Sequence, residues 1–182
     1  MNIEVLDRIL KTEGGYVNDS TDRGGETFCG VSRHNWPGWR GWLVVDEQKP
    51  DGTPKLTPQL KGMLATFYRE NFWDRLHCES FSASLAYEVF DMAVNLGVGR
   101  TGALLQEALN LLNRNEKSWE EIAQDGQVGP KTLAVLRVAL NSAGGEAHLQ
   151  RVLAALQGEH YLKLVRRQPK QERFLRGWLK RA

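Results

Sequence analysis

The stretch Ile9-Leu10-Lys11-Thr12-Glu13-Gly14-Gly15-Tyr16-Val17-Asn18 decides how the N-terminal half is built. Upstream, Ile3, Leu6, Ile9 and Leu10 recur at helical spacing after a capping residue type at Asn2, and Gly14-Gly15 then supplies a stop signal. The pattern predicts a short first helix ending at Glu13. Residues 16–34 are rich in Asn, Asp, Ser, Thr and Gly, with short apolar pieces at Phe28 and Val31, which reads as turns around a small irregular hairpin. A carboxylate therefore stands where a helix gives way to a loop-borne segment.

Beyond the hairpin come Trp36, Pro37, Gly38, Trp39 and Trp42, then a polar connection through Pro50, Gly52 and Pro54. Leu43-Val44-Val45 is too short to imply a sheet of any size. From Thr57-Pro58 onward the pattern is helical, with a cap, a proline in the first turn, and Leu60, Met63, Leu64 and Phe67 on one face. Further helices are predicted over 85–96, 102–112, 131–140, 146–165 and 173–179. Gly97-Val98-Gly99 and Asp125-Gly126-Gln127-Val128-Gly129-Pro130 separate them. The fold class expected is mainly α, with a small N-terminal hairpin and a helical C-terminal half.

At 182 residues the chain has length for one core, or one core with a closely packed second lobe. A hydrophobic fraction of 41% and a charged fraction of 25% mark a globular chain rather than a disordered one. The net charge of +2 argues against a nucleic-acid binder, although the last third is locally basic, from Lys163 to Arg181. No apolar run is long enough for stable membrane insertion, and the first ten residues lack the pattern of an export signal. Cys29 and Cys78 form no CxxC; they are either free thiols or one disulfide, with two buried thiols the reading that suits a chain without such a signal. His34, His77, His148 and His160 show no metal-ligand spacing, so no cofactor is expected.

Breaking a glycosidic bond usually takes one carboxylic acid that still carries its proton, and a second group that manages water or the developing cation. Glu13 is placed for the first role, as a carboxylic acid where the first helix is predicted to end. Gly14 and Gly15 leave room for a sugar beside it. Asp22 follows nine positions later in a segment able to fold back over the helix end, and Thr27 could orient a water through its hydroxyl. Glu26 is a competing acid of the wrong strand parity if Thr27 points inward, and Arg23 is placed to hold a carboxylate.

These residues also carry a likeness. Glu13-Gly14-Gly15-Tyr16-Val17-Asn18, Asp22-Arg23-Gly24-Gly25-Glu26-Thr27 and Gly30-Val31-Ser32 resemble the opening of the family 108 glycoside hydrolases, peptidoglycan-cutting muramidases of phage lysis systems and bacterial secretion loci. Phe90-Asp91-Met92-Ala93-Val94-Asn95-Leu96-Gly97-Val98-Gly99-Arg100, with Asp125-Gly126, Gly129-Pro130 and Thr132-Leu133, resembles the peptidoglycan-binding region that follows in that family. The resemblance implies a lysozyme-like α+β fold, with residues 1–90 as the catalytic region and 91–182 as a helical peptidoglycan-binding region packed against it. It implies Glu13 as the essential acid, with Asp22 and Thr27 in the other roles. The related phage-type lysozymes place five residues between that aspartate and threonine; here there are four.

Tyr16, within the motif, and Asn95 and Trp36 are the candidate substrate contacts. The Asn95 amide can both donate to and accept from an N-acetyl group, or serve the helix end before Gly97. Trp36, Trp39 and Trp42 offer faces for sugar rings or belong to the core. The function expected is hydrolysis of the bond between N-acetylmuramic acid and N-acetylglucosamine, in host lysis or in release of proteins across the wall. A lytic transglycosylase and a non-catalytic wall-binding module are the alternatives. The partners expected are peptidoglycan glycan strands and a holin-like or other export partner, for a protein made in the cytoplasm and acting in the periplasm.

Overall fold

The computed structural model describes Met1, residues 3–18 and residues 25–180. The chain divides into two compact units, Met1–Asn71 and Phe72–Ala182.

In the first unit, α1 (Ile3–Glu13) buries Val5, Leu6, Ile9 and Leu10 along one stripe. It stops where the sequence predicts, because Gly14 adopts φ +78°, a left-handed backbone that only glycine takes without penalty. Among the described residues three short strands follow: β1 (Tyr16–Asn18), β2 (Glu26–Phe28) and β3 (Val31–Ser32). They form an antiparallel sheet in chain order, with Tyr16 opposite Phe28, Val17 opposite Thr27 and Thr27 opposite Ser32. Leu43-Val44-Val45 lies within α2 (Gly41–Gln48), which buries Trp42 and Val45, and the Trp42 indole donates to the Trp36 carbonyl at 2.9 Å. Next, α3 (Pro58–Tyr68) begins at Thr57, whose hydroxyl accepts from the Leu60 amide at 3.2 Å with Pro58 in the first turn, as the sequence predicts. Helix α3 packs on α1 and α2 through Leu60, Leu64, Phe67 and Tyr68.

The second unit is helical: α4 (Ala83–Leu96), α5 (Val98–Leu111), α6 (Pro130–Leu140), α7 (Gly145–Arg167) and α8 (Glu172–Trp178). The predicted helices lie at these places with ends shifted by a few residues; α4 starts two residues early because Ser82 caps the Leu85 amide. Helix α5 packs against α4, α6 and α7. The turn at Asp125-Gly126 is keyed into α5: a β-carbon on Gly102 would strike the Gly126 carbonyl, and one on Gly126 would strike that of Gly99. Buried Gln106 fastens the key. Its amide nitrogen donates to Asp125 Oδ1 at 2.9 Å, the Gln127 carbonyl at 3.0 Å and Thr132 Oγ1 at 3.2 Å, while its oxygen accepts from the Gly126 amide at 2.8 Å.

Between α5 and α6 the chain runs irregularly through residues 112–129. The Asn110 side chain clamps this loop, donating to the Ile122 carbonyl and accepting from its amide. Arg114, Asn115 and Glu116 take φ +60°, +56° and +62° in succession. Left-handed backbone costs about 1–2 kcal/mol per L-residue, so three together persist only because surrounding bonds hold them. The Asn113 carboxamide and carbonyl oxygens supply two, accepting from the Glu116 and Ser118 amides. Among the described residues, no helix is long and apolar enough to cross a membrane.

Candidate active site

Glu13 is half-buried at the last residue of α1. Its carboxylate rests against the turn at Cys29-Gly30, which is tied back to the helix end by the Cys29 amide donating to the Gly15 carbonyl at 2.9 Å. A β-carbon on Gly30 would come within 3.0 Å of Glu13 Oε2 and collide with the Tyr68 hydroxyl. Gly30, at φ +81°, therefore serves close approach as well as backbone conformation. By contrast, added β-carbons at Gly14 and Gly15 would meet nothing within 4 Å. The space beside the acid is open on that side.

Tyr68 is the residue that sequence reasoning missed. It sits at the last position of α3 and is buried, and its hydroxyl donates to the Cys29 carbonyl at 2.7 Å. Burial, and then the negative charge of Glu13, push its phenol well above the usual tyrosine value, so it stays protonated. No local motif signals this role, because the contact spans 39 residues. The one sequence hint is an aromatic with a polar tip at a core position of α3, which needs a hydrogen-bond partner.

Glu26 and Thr27 point to opposite faces of β2, as the alternation of a strand requires. Glu26 is committed elsewhere. It pairs with Arg33 Nε at 2.6 Å and Lys49 Nζ at 2.7 Å, and accepts from the Tyr16 hydroxyl at 3.1 Å. Asp46 completes the network, 2.6 Å from both Arg33 and Lys49, and Arg33 also lies 4.2 Å over the Trp42 ring. Burial would raise the Glu26 carboxyl, but hydrogen bonds from Lys49, Tyr16 and Arg33 outweigh it and hold the group below its ordinary value. Such a carboxylate is poorly suited to donate a proton. Thr27 lies half-buried between Val17 and Ser32, whereas Asp22 and Arg23 lie outside the described residues.

The tryptophans after the hairpin divide by environment. Trp42 is core. Trp36 and Trp39 line a groove of about 480 Å³, together with Met63, Phe67, Glu70 and Asn71. Trp36 stands edge-on to Phe67 at 5.0 Å, and Phe67 meets Tyr68 at 5.3 Å, so consecutive residues of α3 serve the groove and the Glu13 carboxylate. Tyr16 is half-buried with its hydroxyl on Glu26.

Asn95 belongs to the second unit, where its amide donates to the Asp91 carbonyl at 2.7 Å and to Asp91 Oδ2 at 3.3 Å near the end of α4. Asp125-Gly126, Gly129-Pro130 and Thr132, read from sequence as part of a recognition region, form the Gln106-centred joint and the start of α6. Cys29 and Cys78 are buried free thiols, each pushed up by burial, to about 11 and about 12.

Comparison with known proteins places this geometry in context. None of the curated proteins matches the chain. Among solved structures it is similar to one titled "Structure of Brucella abortus SagA", at 24% identity over 98% of this chain and 87% of that one, with a TM-score of 0.64. At that identity the likeness speaks for the fold, a mainly helical lysozyme-like α+β arrangement. Residues 100–182 match a family model described as "Predicted Peptidoglycan domain". Residues 6–97, half of the chain and including Glu13, Gly30 and Tyr68, match the model described as "Glycosyl hydrolase 108". The chain is a glycoside hydrolase and belongs to the glycosyl hydrolase 108 family.

Proposed function

We propose that this protein is an N-acetylmuramidase, cutting peptidoglycan between N-acetylmuramic acid and N-acetylglucosamine. The observation that carries the reading is the Glu13 carboxyl, held at a helix end against Gly30 and Tyr68 with open space beside Gly14 and Gly15. A glycan strand lies with its scissile oxygen within hydrogen-bond reach of that carboxyl. Glu13 protonates the leaving oxygen as the bond to the anomeric carbon lengthens and positive charge spreads over the ring. Asp22 stabilises that charge or takes a proton from the attacking water, which the Thr27 hydroxyl orients. The water oxygen then bonds to the anomeric carbon, the proton it sheds passes to solvent, by way of Asp22 where that carboxylate takes it, and the proton lost by Glu13 is regained from solvent.

Trp36 and Trp39 supply flat apolar surfaces for sugar rings, with Glu70 and Asn71 as polar partners along the same groove. Tyr16 borders the site, and Asn95 contacts an N-acetyl group. Residues 1–90 carry catalysis and residues 91–182 hold the wall polymer, a division supported by the order of the two family matches. The protein reaches the periplasm with the help of a holin-like or other export partner, and serves either host lysis or protein release across the wall.

Mass spectrometry of digested peptidoglycan tests this reading. Hydrolysis leaves reducing-end muropeptides, and Glu13→Gln abolishes their release while the protein stays folded. Anhydro products would instead assign a lytic transglycosylase, and undiminished release by Glu13→Gln would overturn the acid assignment.

A further inference from the structure

The second unit contains a pocket whose lining residues have been given no role so far. It measures about 350 Å³, within the range of roughly 300–1,000 Å³ usual for small-molecule sites. One wall is the loop after α5, carrying Leu112, Arg114, Ser118 and Trp119; the other is the corner between α6 and α7, carrying Ser142 and His148.

Both walls are fixed before any ligand arrives. The Trp119 indole donates to the Leu109 carbonyl at 3.1 Å, which locks the ring edge inward and leaves the ring half-exposed on the pocket side. Across from it, Ser142 Oγ donates to the Ala139 carbonyl at 2.7 Å. A β-carbon on Gly145 would collide with that same carbonyl, so the corner is as close as backbone permits. Arg114 is exposed and forms no ion pair among the described residues. Its left-handed backbone, with those of Asn115 and Glu116, is held in place by the Asn113 side chain and main chain. Strain maintained by dedicated bonds points to a role for the side chains it aims.

A locked aromatic face beside an unpaired guanidinium suits a ligand with an apolar ring face and a carboxylate. We propose that this pocket binds the anionic muramyl-peptide unit of peptidoglycan, the sugar ring stacking on Trp119 and a carboxylate of the lactyl-peptide arm pairing with Arg114. The proposal rests on the peptidoglycan reading above and deepens it, by giving the second unit a ligand that a neutral glucosamine oligomer cannot replace.

The test uses the full chain with Glu13→Gln, so that binding is read without cutting. N-acetylmuramyl dipeptide and chitotriose are titrated separately, following indole N–H signals by NMR, with Trp119 identified through Trp119→Phe. Muramyl dipeptide is expected to shift the Trp119 signal. Arg114→Gln is expected to weaken its binding at least tenfold while leaving chitotriose unaffected, and Trp119→Ala to weaken it by a similar factor. Arg114 is exposed, so its variant keeps the fold, which an unchanged Tm confirms. Unaltered muramyl dipeptide binding in Arg114→Gln, or shifts confined to other indoles, would overturn the proposal. Neither result touches the cleavage reading, which stands or falls on product release by the protein with Glu13 intact.

Discussion

The Tyr68 hydroxyl and the Glu13 carboxylate converge on Gly30, the one residue of their turn that has no side chain to separate them. Tyr68 spends its proton on the Cys29 carbonyl, so it fixes the turn against the acid. Tyr68→Phe keeps the ring and removes the hydroxyl that makes this bond. We expect a stability loss of about 1–2 kcal/mol, a roughly tenfold fall in kcat and little change in KM. A purely structural tyrosine would lower Tm without moving kcat at a temperature where the variant is fully folded, and steady-state kinetics at low temperature separate the two.

Gly30→Ala should be far more damaging than Gly14→Ala. Both positions have positive φ, but only at Gly30 would the new methyl meet Tyr68 and Glu13. We expect about 1 kcal/mol lost at Gly14 and about 2–4 kcal/mol at Gly30, by denaturant unfolding. Since the colliding atom is the Tyr68 oxygen, the double variant Gly30→Ala, Tyr68→Phe should cost less than the sum of the single changes.

Truncation of the groove should read as binding. Trp36→Ala and Trp39→Ala, each removing an aromatic face lining it, are expected to raise KM on soluble glycan fragments about tenfold while leaving kcat within about threefold. Equal losses in kcat would place these rings in the scaffold of the acid instead.

Acid should weaken the fold through Glu26 and Asp46. Both carboxyls lie below their ordinary values of 4.5 and 3.8, Asp46 through hydrogen bonds from Lys49 and Arg33. The folded chain therefore binds fewer protons than the unfolded chain in that range. Their contribution is fully present above about pH 5 and lost as pH falls through the folded values. Glu26→Gln should lower Tm at pH 7 and flatten the loss of Tm between pH 5 and 3; an unaltered slope would show that other carboxylates govern acid unfolding.

What was legible in the sequence was local. The end of α1 at Glu13, the Thr57-Pro58 start of α3 and the run of C-terminal helices all follow from caps, glycines and apolar spacing within a few residues. The same logic left Leu43-Val44-Val45 without an assignment. Its helix depends on Trp42 and Val45 finding a core and on a carbonyl six residues back, which is tertiary information. Glu13 stood out through its motif, yet Tyr68, which organises the acid's turn, and Arg33 and Lys49, which hold Glu26 in its ion-pair network, are 55, 20 and 36 positions from Glu13 in the numbering. Asp125 and Gly126 were visible as a turn, but not as the joint that Gln106 locks.

Each unit seals one thiol in its interior, Cys29 in the first and Cys78 in the second. With thiols pushed to about 11 and about 12, the thiolate fraction at neutral pH is on the order of one in ten thousand or less. Neither sulfur can readily attack a disulfide or meet an oxidant while the fold is intact. The folded chain therefore presents neither thiol to a change in the redox poise of its surroundings.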